Sequence, residues 1–147
     1  MENLRVLMAE DNPGDALLAR LDLEGHGENV DLTIANSCAE FVQRLREHEY
    51  DCAVLDFHLP DGDADALLQA IRLLAPELPT VVMSGCDDQD VVTQTLRNGG
   101  DDFVSKTHIV DSDELWQRVT RTVMRHRQQR MRRRMSGTPP AAPLARC

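Results

Sequence analysis

The sequence predicts an α/β domain in which five parallel strands alternate with five helices in a doubly wound sheet. Three observations predict it. Short apolar runs alternate with segments of helical period along most of the chain. One run, Cys52-Ala53-Val54-Leu55, is small or apolar throughout, as a strand buried on both faces requires. Acids, a serine and a lysine stand where the runs end, at the edge where open α/β sheets place their chemistry.

In chain order, Leu4 to Ala9 reads as the first strand, followed by Glu10-Asp11-Asn12-Pro13-Gly14-Asp15. Asn12 before Pro13 is a helix start, a side-chain cap followed by proline at the first helical position. That helix stops near Gly25. Val30 to Ala35 alternates as a second strand. Ser37 then opens a helix with Glu40 three residues on, a capping box, and Ala39, Phe41, Val42 and Leu45 form its apolar side. The third strand ends at Asp56, and a Pro60-Asp61-Gly62 turn follows. A helix from about Ala64 to Leu74 puts Leu67, Leu68, Ile71 and Leu74 at core spacing. Pro79 to Met83 is the fourth strand, ending at Ser84-Gly85. A helix from about Asp88 to Arg97 presents Val91, Val92, Thr95 and Leu96, and Asn98-Gly99-Gly100 terminates it. Asp102 to Ser105 is a short fifth strand ending at Lys106. A last helix starts near Asp111 or Ser112, with Leu115, Trp116, Val119 and Val123 facing inward. Alternation of this kind demands parallel pairing, right-handed crossovers and helices on both faces.

At 147 residues the chain can bury a core, and with only 3% aromatics that core is aliphatic. No apolar run reaches membrane-spanning length. Cys38, Cys52, Cys86 and Cys147 form no CxxC pair and no zinc spacing, which fits reduced thiols and a cytoplasmic location. Charge is divided sharply along the chain. All 25 acids and seven of the 16 bases precede residue 118, giving −18, and the remaining nine arginines give the rest +9. An acidic body of this kind is a poor nucleic-acid binder, and the basic tail is a separate question.

The strand ends collect Glu10 and Asp11, Asp56, Ser84 and Lys106. Each has an ordinary explanation: first-turn acids that favour a helix N-terminus, a strand-ending acid, a loop serine, a surface lysine. Together they describe a site. Clustered carboxylates need a cation, and oxygen donors suit Mg²⁺. A carboxylate beside that ion can be the nucleophile toward a phosphoryl group, with Lys106 and Ser84 contacting the transferring oxygens. Lys106 is also the only lysine in a chain that otherwise uses arginine.

With these residues in place, residues 3–127 resemble the receiver domains of two-component response regulators. The resemblance implies a flavodoxin-like strand order of 2-1-3-4-5. It implies Asp56 as phosphoacceptor, Mg²⁺ held by Glu10, Asp11, Asp56 and the backbone carbonyl of His58, and phosphoryl contacts from Ser84 and Lys106. Phe103, three residues before the lysine, takes the place of an aromatic that switches with phosphorylation. The implied donor is a histidine kinase or a histidine phosphotransfer protein. The implied output is a changed surface for a downstream signalling protein, or a homodimer through the fourth helix, fifth strand and fifth helix. The domain would catalyse only its own phosphorylation and dephosphorylation. One departure is plain: Thr107 stands where the family usually has proline. A trans peptide and a rearranged following loop are expected there, since a non-proline cis bond costs roughly 3–4 kcal/mol. A Mg²⁺-dependent phosphohydrolase with an aspartyl nucleophile is the rival enzyme, but it commonly needs a second acid where His58 stands. A scaffold that no longer phosphorylates is the other rival, and the complete residue set argues against it.

The domain is expected to occupy residues 1–127, followed by a basic helical extension and disordered Pro-rich tail over 128–147. The last helix should run to about Arg134 before Ser136 to Pro143 breaks it. Its arginines admit three readings: nucleic acid or membrane, an acidic protein surface including this domain's own, or a solvated linker. The first is disfavoured by the lack of aromatics for base stacking. Met131 and Met135 alone are too sparse for a coiled-coil seam. The scattered histidines His26, His48, His108 and His126 read as solvent-facing. The thirty residues from Arg118 onward are too few for an output module, so output is expected through a partner or further chain.

Overall fold

Alternate side chains of β1 (Leu4–Ala9) feed two separate cores, Val6 and Met8 on one face of the sheet and Leu7 and Ala9 on the other. The computed structural model describes residues 3–25, 29–85, 89–108 and 113–137. Around β1 the chain forms α1 (Pro13–Glu24), β2 (Val30–Ala35), α2 (Cys38–Glu47), β3 (Cys52–Asp56), β4 (His58–Leu59), β5 (Gly62–Asp63), α3 (Ala64–Leu74), β6 (Thr80–Ser84), α4 (Gln89–Arg97), β7 (Asp102–Ser105), a 3₁₀ turn (Lys106–His108) and α5 (Glu114–Ser136).

The main sheet has the order β2-β1-β3-β6-β7, all parallel. Setting the β4–β5 hairpin aside, this is the expected 2-1-3-4-5. Every residue of β3 and β6 is buried, which is why both read as continuous apolar runs. Leu23 of α1 and Leu115, Val119 and Val123 of α5 cover one face; Phe41 and Leu45 of α2 and Leu67, Leu68 and Ile71 of α3 cover the other.

The caps act as read from the sequence. Asn12 accepts from the Asp15 N–H at 3.0 Å, with Pro13 at the start of α1. Ser37 Oγ accepts from the Glu40 N–H at 3.1 Å, while the Glu40 carboxylate reaches back to the Asn36 N–H at 3.3 Å. Gly99, with φ +109°, closes α4 in a conformation that favours glycine.

Several assignments need correction. Ala39 is exposed rather than part of the α2 core face. Leu74 and Leu96, each in the last turn of its helix, are 42% and 47% exposed. Trp116 is only half-buried. His126 is not solvent-facing: its Nε2 lies 3.0 Å from Asp101 Oδ1, facing the start of β7. His48 is exposed as expected. The Pro60-Asp61-Gly62 turn joins two short antiparallel strands, β4 and β5, too brief to show a period in the sequence. Lys106-Thr107 is trans, and the chain continues from it into the 3₁₀ turn. The start of α4 at Asp88, that of α5 at Asp111 or Ser112, the side chains of His26 and His108, Cys86, Cys147 and the tail from residue 138 lie outside the described residues.

Candidate functional site

At the carboxyl edge of the sheet, β1, β3 and β7 deliver Glu10, Asp56 and Lys106 to one point. Parallel pairing of β1 with β3 sets Ala9 beside Leu55, so the next residues, Glu10 and Asp56, emerge together. Glu10 is fully buried and Asp56 is 6% exposed. Asp11, one residue on, is exposed. One carboxylate oxygen from each of Glu10, Asp11 and Asp56 lies within 4.8 Å of the others.

The Lys106 ammonium sits 2.9 Å from Glu10 Oε2, 2.9 Å from Asp56 Oδ2 and 2.9 Å from Asp15 Oδ2. All three contacts are ion pairs, and those to Asp15 and Asp56 are hydrogen bonds. Burial alone would lower the lysine pKa, but the bonds to Glu10, Asp15 and Asp56 outweigh it and hold Lys106 well above the ordinary lysine value. Burial pushes Glu10 up to about 7, helped by the Asp56 charge and opposed by the hydrogen bonds from Lys106 and from the Asn12 N–H. The Asn12 bond measures 3.1 Å. Asp56 Oδ1 accepts from the His58 N–H at 3.3 Å, so the backbone turning into β4 also orients the carboxylate.

The other residues picked out in the sequence border this cluster. Asp56 pairs in register with Met83, and Ser84, 1% exposed, is the next residue of β6. Phe103 is half-buried on β7, opposite Val82 and against the core under α2 and α3. The His58 side chain is exposed, its ring edge-on to Phe57 with centroids 4.9 Å apart. Asp15 is the member that sequence reasoning missed. As the only acid in the first turn of α1 it looks like a helix-dipole residue; only the return of Lys106 from β7 gives it a partner.

Three carboxylates contact the one ammonium and that of Asp11 lies beside Glu10 and Asp56, leaving the cluster short of positive charge. The candidate donors, Glu10, Asp11 and Asp56, are all oxygen, two of them buried and one open to water, which suits a hard divalent cation that keeps part of its hydration. The residues present fit such an ion.

Comparison with known proteins agrees with this geometry. Residues 6–120 match the response regulator receiver domain family. The cell cycle transcriptional regulator CtrA of Caulobacter vibrioides is 30% identical over 122 residues, covering 83% of this chain and 51% of CtrA. The virulence transcriptional regulatory protein PhoP of Salmonella typhimurium is 34% identical over 106 residues, covering 70% of this chain and 45% of PhoP. The solved receiver domain of the Francisella response regulator 1452 superposes with a TM-score of 0.74 at 29% identity, covering 84% of this chain and 98% of that domain. The chain spans about half the length of CtrA and PhoP. No helix among the described residues is long and apolar enough to cross a membrane. With the sheet order, the acidic cluster at its carboxyl edge and these matches in agreement, the chain belongs to the response regulator receiver domain family of two-component systems.

Proposed function

We propose that Asp56 is the phosphoacceptor and that the domain signals through the surface it presents when phosphorylated. The observation that carries this reading is the convergence on Asp56: a buried, strand-ending carboxylate held at 2.9 Å by Lys106 and beside two further acids. The donor is a phosphohistidine, on a kinase or on a phosphotransfer protein. An Asp56 oxygen attacks phosphorus, the new O–P bond forms as the P–N bond breaks, and the imidazole leaves to take a proton from solvent. Lys106 and the Ser84 hydroxyl would contact the phosphoryl oxygens. Lys106 exchanges a carboxylate for a phosphoryl oxygen as charge moves outward from Asp56. Glu10, Asp11, Asp56 and the His58 carbonyl would hold Mg²⁺, which when bound offsets the negative charge of donor and acceptor. Hydrolysis of the aspartyl phosphate by water returns the domain to its starting state, so it acts on itself and turns over no external substrate.

Phe103 is the residue assigned to carry the change outward, toward the face formed by α4, β7 and α5, where a downstream protein or a second copy would bind. Residues 1–127 form the receiver and 128–147 its basic extension, within a cytoplasmic pathway. The test is intact mass after incubation with Mg²⁺ and a small acyl phosphate. One added phosphoryl group that requires the metal and is lost in Asp56→Asn supports the reading. An adduct that persists in Asp56→Asn sinks it.

A further inference from the structure

Helix α5 divides its basic residues between two faces. On the inner side, Arg130 Nε donates to Glu77 at 3.1 Å and Arg133 lies 3.7 Å from the same carboxylate. Arg127 is 3.8 Å from Asp51, and His126 is 3.0 Å from Asp101. Asp51, Glu77 and Asp101 all precede strands, so these pairs tie the helix across the amino edge of the sheet, opposite the acidic cluster. Those three acids are paired there.

The outer face is different. Gln117, Arg121, Met124, Gln128, Met131 and Met135 follow one another at alternating spacings of four and three residues. That spacing keeps a stripe on one side of a helix, where a second helix can interdigitate with it. All six are exposed, with Met124, Met131 and Met135 at 60%, 62% and 85%. The positions bordering this stripe in its C-terminal half are Arg125 and Arg132 on one side and Arg127 and Arg134 on the other. Arg125, Arg132 and Arg134 have no ion-pair partner among the described residues.

We propose that the outer face of α5 from Met124 to Met135 docks an acidic amphipathic helix of a second protein, its apolar stripe over the methionines and its flanking carboxylates on Arg125, Arg132 and Arg134. Charge selects this occupant. Two copies of the face would set arginine against arginine along both borders, which is destabilising in a helix pair. Residues 138–147 contain no acid and cannot fill the role. A membrane is disfavoured because Arg121 and Gln128 interrupt the stripe that would have to enter the acyl region. Methionines, being flexible and polarizable, suit a partner surface that is not fixed in advance.

The test uses the full chain and a fluorescent synthetic peptide of four heptads, with leucine at the seam and glutamate at the flanks. Controls are a scrambled peptide of equal composition and a lysine-flanked version. At physiological ionic strength the heptad peptide should bind at least about tenfold more tightly than the scrambled one, a difference that Met131→Glu/Met135→Glu removes. Arg125→Glu/Arg132→Glu should reverse the preference toward the lysine-flanked peptide. These positions are exposed, so circular dichroism should be unchanged, and the Asp56 mass assay reads out separately from the binding. Equal binding of heptad and scrambled peptides would overturn the proposal, leaving charge alone. So would self-association of the chain, or binding to duplex DNA or phosphatidylserine vesicles, that is abolished by the same methionine changes.

Discussion

Lys106 Nζ lies 2.9 Å from Asp15 Oδ2, so the chain's only lysine is shared between the candidate phosphoacceptor and an acid on α1. That sharing draws positive charge away from the place where a dianionic donor must approach. Asp15→Asn should therefore speed phosphorylation by a small acyl phosphate roughly 3- to 10-fold, the factor given by an electrostatic effect of about 1 kcal/mol. The initial rate of phosphoprotein formation, followed by intact mass, checks it. A slower rate would mean that Asp15 positions the lysine productively instead.

Glu10 sets a pH dependence whose sign can be worked out. Its pKa rises from 4.5 to about 7 on folding, with burial as the main cause. Across that window the native state keeps a proton that the unfolded chain has released, so metal-free stability falls as pH rises. A cation held by the ionised carboxylates opposes that loss. The rise in Tm caused by Mg²⁺ should be larger at about pH 8 than at about pH 5.5, and Glu10→Gln should flatten the difference. An equal Mg²⁺ effect at both values would contradict the assignment.

Cys38 opens α2, a position that would ordinarily activate a thiol. Here burial pushes it up to about 11, reinforced by the Asp61 charge, the hydrogen bond with Asp61 and the Asp63 charge. Asp61 crosses from the β4–β5 turn to accept from the Cys38 and Ala39 N–H groups at 2.7 and 3.1 Å. Alkylation of Cys38 at about pH 8, mapped by peptide mass, should be at least about tenfold slower than that of a cysteine in a short unstructured peptide. Asp61→Asn should accelerate it.

Glu77 receives both Arg130 and Arg133, at 3.1 and 3.7 Å. Partly exposed pairs of this kind contribute at most about 1 kcal/mol. Glu77→Ala should leave the denaturation midpoint of the domain nearly unchanged while raising amide exchange across residues 127–134. A large loss of global stability would show instead that the extension is part of the folding unit.

The residues that were legible in the sequence are those whose chemistry coincides with a change of period. Glu10, Asp56, Ser84 and Lys106 each stand where an apolar run stops, and a parallel sheet brings such ends together whatever the loops do. Asp15 and His126 were not legible, because each acquires its role from a partner remote in the chain, Lys106 and Asp101 respectively. Leu74 and Leu96 show the opposite failure: helical period marks a face but not how far along the helix that face stays covered. The stripe from Met124 to Met135 looked sparse as sequence. The fold shows that it faces away from the body, with the inward arginines already paired.

The central claim is that the phosphoryl group resides on Asp56. Borohydride reduction of the phosphorylated chain converts an aspartyl phosphate to homoserine, and peptide mass analysis then locates it. The account predicts homoserine at position 56, formed only after incubation with donor and Mg²⁺. Homoserine at position 11 or 15, or a phosphoryl group retained on His58 through the reduction, would contradict it.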